Sequence, residues 1–239
     1  MLLKTHRPVS SGNATGNKIT GIVIAAIAAV VVIGVVFILI NSGSKTAFSH
    51  KYTSVQPSAV KSKDNLSVSL KKPAEFTPQY KDVLSTPFQI YTQNEVVGNK
   101  TVTTGYLFVS ASPLAADEKS VVDTVNHAFT KNPNDPYYKS AKRPMESYVD
   151  NIYSGLYKTV TVGNPTALQT PNLKKDAYIF DVSASGAKNG APDQQGKAIY
   201  TWTDNAVFFY ILSVAKENWQ PNLATWQDMI NSFKPVEKS

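Results

Sequence analysis

The sequence predicts an α+β protein: a single N-terminal transmembrane helix, then an antiparallel β-sheet domain layered with helices. Three observations predict this. Ile19–Ile40, ITGIVIAAIAAVVVIGVVFILI, is an uncharged apolar run. Beyond residue 64, short segments of alternating or continuous apolar character are divided by Pro, Gly, Asn and Asp, as strands are. Two stretches, 117–129 and 221–233, instead carry apolar residues at helical spacing.

At about 1.5 Å of rise per residue, a helix over Ile19–Ile40 covers the roughly 30 Å hydrocarbon core of a bilayer and satisfies its own backbone there. A cleaved leader is the rival reading. Its apolar stretch would run about 7–15 residues, and NSGSKTAFSH after Ile40 offers a poor cleavage site. The chain contains no cysteine, which excludes a lipid-modified lipoprotein and fits an exported protein.

Charge is unevenly placed. The formal +7 lies entirely in residues 1–63, where Lys4, Arg7, Lys18, Lys45, Lys51, Lys61 and Lys63 have no acidic counterpart; residues 64–239 balance 17 basic against 17 acidic side chains. A neutral domain gives no support to nucleic-acid binding, which needs a basic surface. The excess belongs to the flanks of the span, where anionic headgroups attract it. Three basic residues precede the span and two follow it closely, so the positive-inside bias places the N-terminus in the cytoplasm and the domain outside it.

Residues 1–18, rich in Ser, Gly, Asn and Thr, read as a disordered basic tail. A similar composition over 41–63 reads as a flexible stalk that lets the domain tumble near the headgroups. The domain proper, 64–236, is long enough for one core.

In that domain Leu66, Val68 and Leu70 alternate with polar residues up to Lys72-Pro73, predicting a first strand. Phe88, Ile90 and Val96-Val97 predict a second, turning at Gly98-Asn99 into a third over Thr101–Ser110. Asp117–Phe129 predicts a helix whose buried face carries Val121, Val122, Val125, Ala128 and Phe129 and whose opposite side carries His127. With its prolines, the segment 130–147 reads as a long loop, followed by a short helix or turn over Met145–Ser154. Strands are expected at Leu156–Val162, Ala177–Ser183, Lys197–Thr203 and Ala206–Ala215, the last two joined by Asp204-Asn205. The final strand has no polar side and is expected at the centre, covered on both faces. Between strands, SGAKNGAPDQQG over Ser185–Gly196 reads as a mobile hairpin loop and lacks the order of a phosphate-binding loop. Pro221 opens a terminal helix with Leu223, Trp226, Met229, Ile230 and Phe233 on one face, and Pro235 ends it. Six or seven mostly antiparallel strands result.

The order of these elements, with Ser67–Phe76 (SVSLKKPAEF) at one end and Trp226–Phe233 (WQDMINSF) at the other, resembles the PsbP family. That family comprises the extrinsic proteins of the photosystem II oxygen-evolving complex and their bacterial relatives. The resemblance covers most of 64–236 and implies an α/β/α sandwich, an antiparallel sheet between helices. This chain departs from the family at Phe76, where Trp is usual, in having a stalk and span in place of a cleavable leader, and in lacking a cluster of metal-binding side chains. The resemblance therefore speaks for shape, because fold alone does not fix function.

Few catalytic constellations remain open. Cysteine nucleophiles are absent, and a Ser-His-Asp arrangement would have to use His127, on the solvent side of its helix. One histidine without cysteines cannot build a zinc site, so no metal or cofactor is expected. Asn132-Pro133-Asn134-Asp135-Pro136 offers oxygens but not the acidic ladder of a calcium loop; turn formation accounts for it better. A carboxylate pair for a cell-envelope hydrolase has no distinguishing spacing among eleven Asp and six Glu. The densest chemistry is aromatic and basic: Tyr137, Tyr138, Tyr148, Tyr153 and Tyr157 mixed with Lys139, Lys142 and Arg143. Tyrosine is enriched at interfaces, and equally in half-buried belts over a sheet. The sequence thus points to a non-enzymatic module, held to the bilayer through Ile19–Ile40, that docks a protein or envelope partner. The expected contacts are Tyr137, Tyr138, Lys139, Lys142, Arg143, Tyr148 and Tyr153. An envelope hydrolase or a small-ligand carrier is the alternative.

Overall fold

The computed structural model describes residues 52, 55–61, 66–79, 88–97, 99–114, 119–173, 177–188 and 190–236. In chain order they form β1 (Val55–Lys61), β2 (Ser67–Pro73), β3 (Thr77–Pro78), β4 (Phe88–Val97), β5 (Lys100–Pro113), α1 (Lys119–Phe129), α2 (Pro136–Tyr153), β6 (Tyr157–Val162), β7 (Thr166–Leu168), β8 (Ala177–Ala187), β9 (Gln194–Trp202), β10 (Ala206–Ala215), α3 (Lys216–Trp219), α4 (Leu223–Ser232) and β11 (Lys234–Val236). The proposed span Ile19–Ile40 and the tail 1–18 lie outside the described residues, and no described helix is long and apolar enough to cross a membrane.

The main sheet runs β3-β4-β5-β10-β9-β8-β6, with β7 also on β8, and a smaller sheet runs β1-β2-β11. Every described pairing is antiparallel. After the β4–β5 hairpin the chain crosses one face as α1 and α2, drops to the far edge as β6, and returns inward through β8 and β9. It closes with β10 against β5. The apolar run of β10 therefore sits mid-sheet with both faces covered, as its sequence predicts. Phe209 and Ile211 pack with Met145, Val149 and Tyr153 of α2; Phe208, Tyr210, Leu212 and Val214 pack with the small sheet and Trp226, Met229, Ile230 and Phe233. The architecture is an α+β sheet with helices on one face and a mixed layer of three strands and α4 on the other.

Four expectations are corrected. The stalk does not extend to Lys63. Tyr52 is buried, and Val55–Lys61 pairs along its whole length with β2. An edge strand tolerates Pro57, since only one side of its backbone needs donors. The long proline-rich loop is instead mostly helix α2. Asp135 caps it by accepting the Tyr137 N–H at 2.8 Å, and Pro136 opens its first turn, where a missing N–H is harmless. Pro144 inside the helix removes only one bond, and Tyr138, Ala141, Met145, Val149 and Tyr153 bury one face.

The Ser185–Gly196 insert is more ordered than a mobile loop. β8 continues through Ala187 along β6, Gly186 turns it with φ 68°, and Asp193 Oδ1 accepts the Gly186 N–H at 3.0 Å. In the terminal helix Trp226, Met229, Ile230 and Phe233 are buried, but Leu223 is 47% exposed because α4 begins there, and Pro235 lies in β11. His127 is exposed, as expected.

Candidate functional site

Helix α2 carries all but one of the aromatic and basic residues singled out by the sequence, and its rotation sorts them. Tyr138, 3% exposed, sits edge-on to Phe129 at 5.6 Å. Tyr148 lies between Phe108 at 5.4 Å and Phe209 at 4.3 Å. Tyr153 shares a hydrogen bond of 2.6 Å with Ser213 Oγ and meets the Tyr106 and Tyr157 rings edge-on at 5.9 and 6.0 Å. Tyr138 and Tyr153 are core residues, the half-buried Tyr148 packs against that core, and together they hold α2 to the sheet. Lys142 is also occupied: its Nζ donates to Val162 O at 2.9 Å and Asn164 Oδ1 at 3.3 Å and pairs with Glu146 at 3.0 Å.

What remains outside is Tyr137, 73% exposed, with Lys139 and Arg143, both exposed and without an ion pair among the described residues. The helix has no acidic residue in its first turn and no basic one in its last. Its cations lie in the N-terminal half and Glu146 and Asp150 in the C-terminal half, the reverse of what the helix dipole favours. Helix stability does not explain that order. At the preceding turn Asn132 Oδ1 accepts the Asn134 N–H at 2.9 Å and Asp135 Oδ1 caps the helix, so these oxygens serve the turn.

A second polar cluster, which the sequence did not disclose, lies on the opposite face. Tyr52 donates its hydroxyl to Gln93 Oε1 at 2.6 Å, Thr104 donates to the same oxygen at 2.5 Å, and Gln93 Nε2 donates to Glu95 Oε1 at 3.0 Å. The register slips between Gln93 and Asn94, leaving Thr104 as the extra residue of a bulge, and bulges re-aim side chains in this way. Burial first, then the charges of Glu95 and Glu75, push the Tyr52 phenol far above its usual range. Nearby, desolvation lowers Lys72 although Glu75 opposes it; its Nζ donates to Phe76 O at 2.7 Å and sits 5.2 Å from the Tyr91 ring centre. The signal for this cluster is the polar run Thr92–Glu95 in β4, which lies across the ladder from Thr103 and the bulged Thr104.

The buried tyrosines give the protein an alkaline limit. Burial raises Tyr106 and Tyr200 from 10.0 to about 12. Below about pH 10 both the folded and unfolded chains keep these protons; above it the unfolded chain loses them first, so stability falls by up to about 1.4 kcal/mol per pH unit per tyrosine. Urea midpoints measured between about pH 8 and pH 12 are expected to drop steeply above pH 10, and Tyr106→Phe with Tyr200→Phe to lessen that drop, the remainder coming from Tyr52, Tyr148, Tyr153, Tyr157 and Tyr210, which burial also raises. An equal slope in the double variant would show that other groups set it.

No family model and no curated protein matches the sequence. Solved structures are similar to the fold at low sequence identity. Cyanobacterial PsbP (CyanoP) from Synechocystis sp. PCC 6803 is 13% identical with a TM-score of 0.44, over 71% of this chain and 86% of that one. The Ran-binding protein Mog1p of Saccharomyces cerevisiae is 11% identical with a TM-score of 0.39, over 77% and 97%. LpqN of Mycobacterium tuberculosis, a protein involved in cell envelope biogenesis, is 12% identical with a TM-score of 0.37, over 77% and 92%.

Proposed function

We propose that this chain is a single-pass, membrane-tethered docking module, its N-terminus cytoplasmic and its folded domain extracytoplasmic, which engages an acidic protein or envelope polymer without chemistry of its own. The observation that carries the reading is the exposed start of α2. A large aromatic, Tyr137, stands in solvent on one side of the helix start, Lys139 and Arg143, one turn apart, are exposed on the other, and Tyr138 between them fixes the helix to the core. An aromatic with a polar tip and, on the other side of the helix, two cations without an ion pair among the described residues fit a partner that presents both an apolar surface and carboxylates or phosphates.

The test is capture of envelope partners by the full chain. Tyr137→Ala with Arg143→Glu is expected to abolish capture while changing stability by less than about 0.5 kcal/mol, as surface substitutions do. Retained capture would remove the reading. Protease added to intact cells reports separately which side the domain occupies.

The hydrolase reading has one observation in its favour, the two carboxylates Glu75 and Glu95 acting on Tyr52. Glu95 Oε1, however, accepts from Gln93 within a hydrogen-bonded core network, a placement that fixes a bulge. The carrier reading requires space between sheet and helices, and there Phe108, Tyr148, Phe209, Tyr106 and Tyr153 meet ring to ring.

A further inference from the structure

The order of charge along α2, which helix stability does not explain, has a second copy of the same helix as its complement. Lys139, Arg143, Glu146 and Asp150 follow one another at spacings of four, three and four residues. At about 100° per residue they fall within about 60° of one another and form a single stripe along the helix. Lys139, Arg143 and Asp150 are exposed, and Glu146 is half-buried beside Lys142, its partner at 3.0 Å. The stripe is basic over its first half and acidic over its second.

A two-fold axis between Pro144 and Met145 sets this stripe antiparallel to its own copy. Lys139 then comes level with Asp150 of the second copy, and Arg143 with its Glu146, so each contact is made twice. Lys142 comes level with Ser147, and no like charges of the two helices meet. At the helix ends Lys188, whose Nζ donates to Ser154 O at 2.9 Å, comes level with Asp135 of the second copy. The approach is open. Lys142 leans from the flank of the stripe to Val162 O and Asn164 Oδ1, so the stripe overhangs β6, which ends the main sheet and pairs among the described residues only with β8. Along one helix of 18 residues, about 27 Å, the contact is small, so the pair is reversible and set by charge.

We infer that two copies of this chain pair antiparallel along α2 through Lys139, Arg143, Glu146 and Asp150. The pair goes beyond the docking reading. Tyr137 lies on the other side of the helix and stays open, whereas an acidic partner reaches Lys139 and Arg143 only by displacing the second copy.

The chain has no cysteine, so Ser147→Cys, half-exposed beside the stripe, gives one label per copy, the two lying about 12 Å apart in the pair. In the full chain in mild non-ionic detergent at low salt, a bis-maleimide of that span is expected to crosslink Ser147→Cys several-fold more than Gln227→Cys, exposed on α4 in the opposite layer. About 0.5 M NaCl is expected to remove most of the difference. Lys139→Glu and Asp150→Lys, each added to Ser147→Cys, are expected to lower crosslinking several-fold; mixing the two variants, or joining both changes in one chain, is expected to restore it. Neither side chain has an ion pair among the described residues, and each change suits the helix dipole, so a weakened helix does not account for the loss.

Crosslinking that ignores both charges reports contact through another surface and overturns the pair. Loss in the single variants with no recovery in the mixture overturns it too. A parent that never crosslinks above the Gln227→Cys level removes the pair and leaves the docking reading standing, because that reading is tested by capture.

Discussion

Gly196→Ala is expected to be the most damaging single-methyl substitution in the domain, lowering stability by more than about 3 kcal/mol. Gly196 lies in β9 between Val182 of β8 and Ser213 of β10. A Cβ there would stand 2.0 Å from Leu212 O, 2.7 Å from Ser213 Cα and 2.8 Å from Ser213 Cβ. Two of those atoms are backbone of the central strand, which cannot turn aside as a side chain can. Relief requires β9 to part from β10, and the disturbance reaches Ser213 Oγ, the partner of Tyr153 and hence of α2. Each kcal/mol lowers Tm by about 2–4 °C in a domain of this size, so a fall of roughly 10 °C or loss of soluble protein is the expected readout. Gly155→Ala is the control, since its Cβ would meet nothing within 4 Å, and it should lie within about 0.5 kcal/mol of the parent. A Gly196→Ala variant that melts with the parent would mean that β9 and β10 are not in the register described.

The parts of this fold legible in the sequence are those whose burial is written in their own residues. β10 has no polar side, and Trp226, Met229, Ile230 and Phe233 repeat at helical spacing, so each announces its own packing. β1 does not. Its VQPSAVK carries a proline and little apolar surface, and it is ordered by its ladder to β2 and not by its own pattern. Helix α2 was hidden for a different reason. Pro136 is a start signal that resembles a loop signal, Pro133 lies in the turn before it, and Pro144 interrupts a run whose Tyr138, Ala141, Met145, Val149 and Tyr153 are spaced correctly. The same rotation explains the site. Composition marks Tyr137 and Tyr138 equally, and only the helix phase, about 100° per residue, sends one into solvent and the other beneath Phe129. The Tyr52 cluster was illegible because it joins three segments far apart in the chain.

Trp226→Ala is expected to lower stability strongly and to do so unevenly across the domain. The indole is fully buried, donates to Trp219 O at 3.0 Å, stacks on Trp219 at 6.1 Å and backs the Tyr52 ring. Truncating a buried tryptophan costs about 3–5 kcal/mol, and the carbonyl it served loses a donor. The loss should not be uniform. Tyr52 is seated on this ring as well as on Asn222 and Gln93 and leads into β1, whose only ladder is to β2, whereas β10 keeps both neighbours. Hydrogen exchange followed by mass spectrometry should show residues 52–61 losing protection well before 206–215, and Trp226→Phe should recover most of it. Even loss of protection across the two segments would show that β1 is not seated by Trp226.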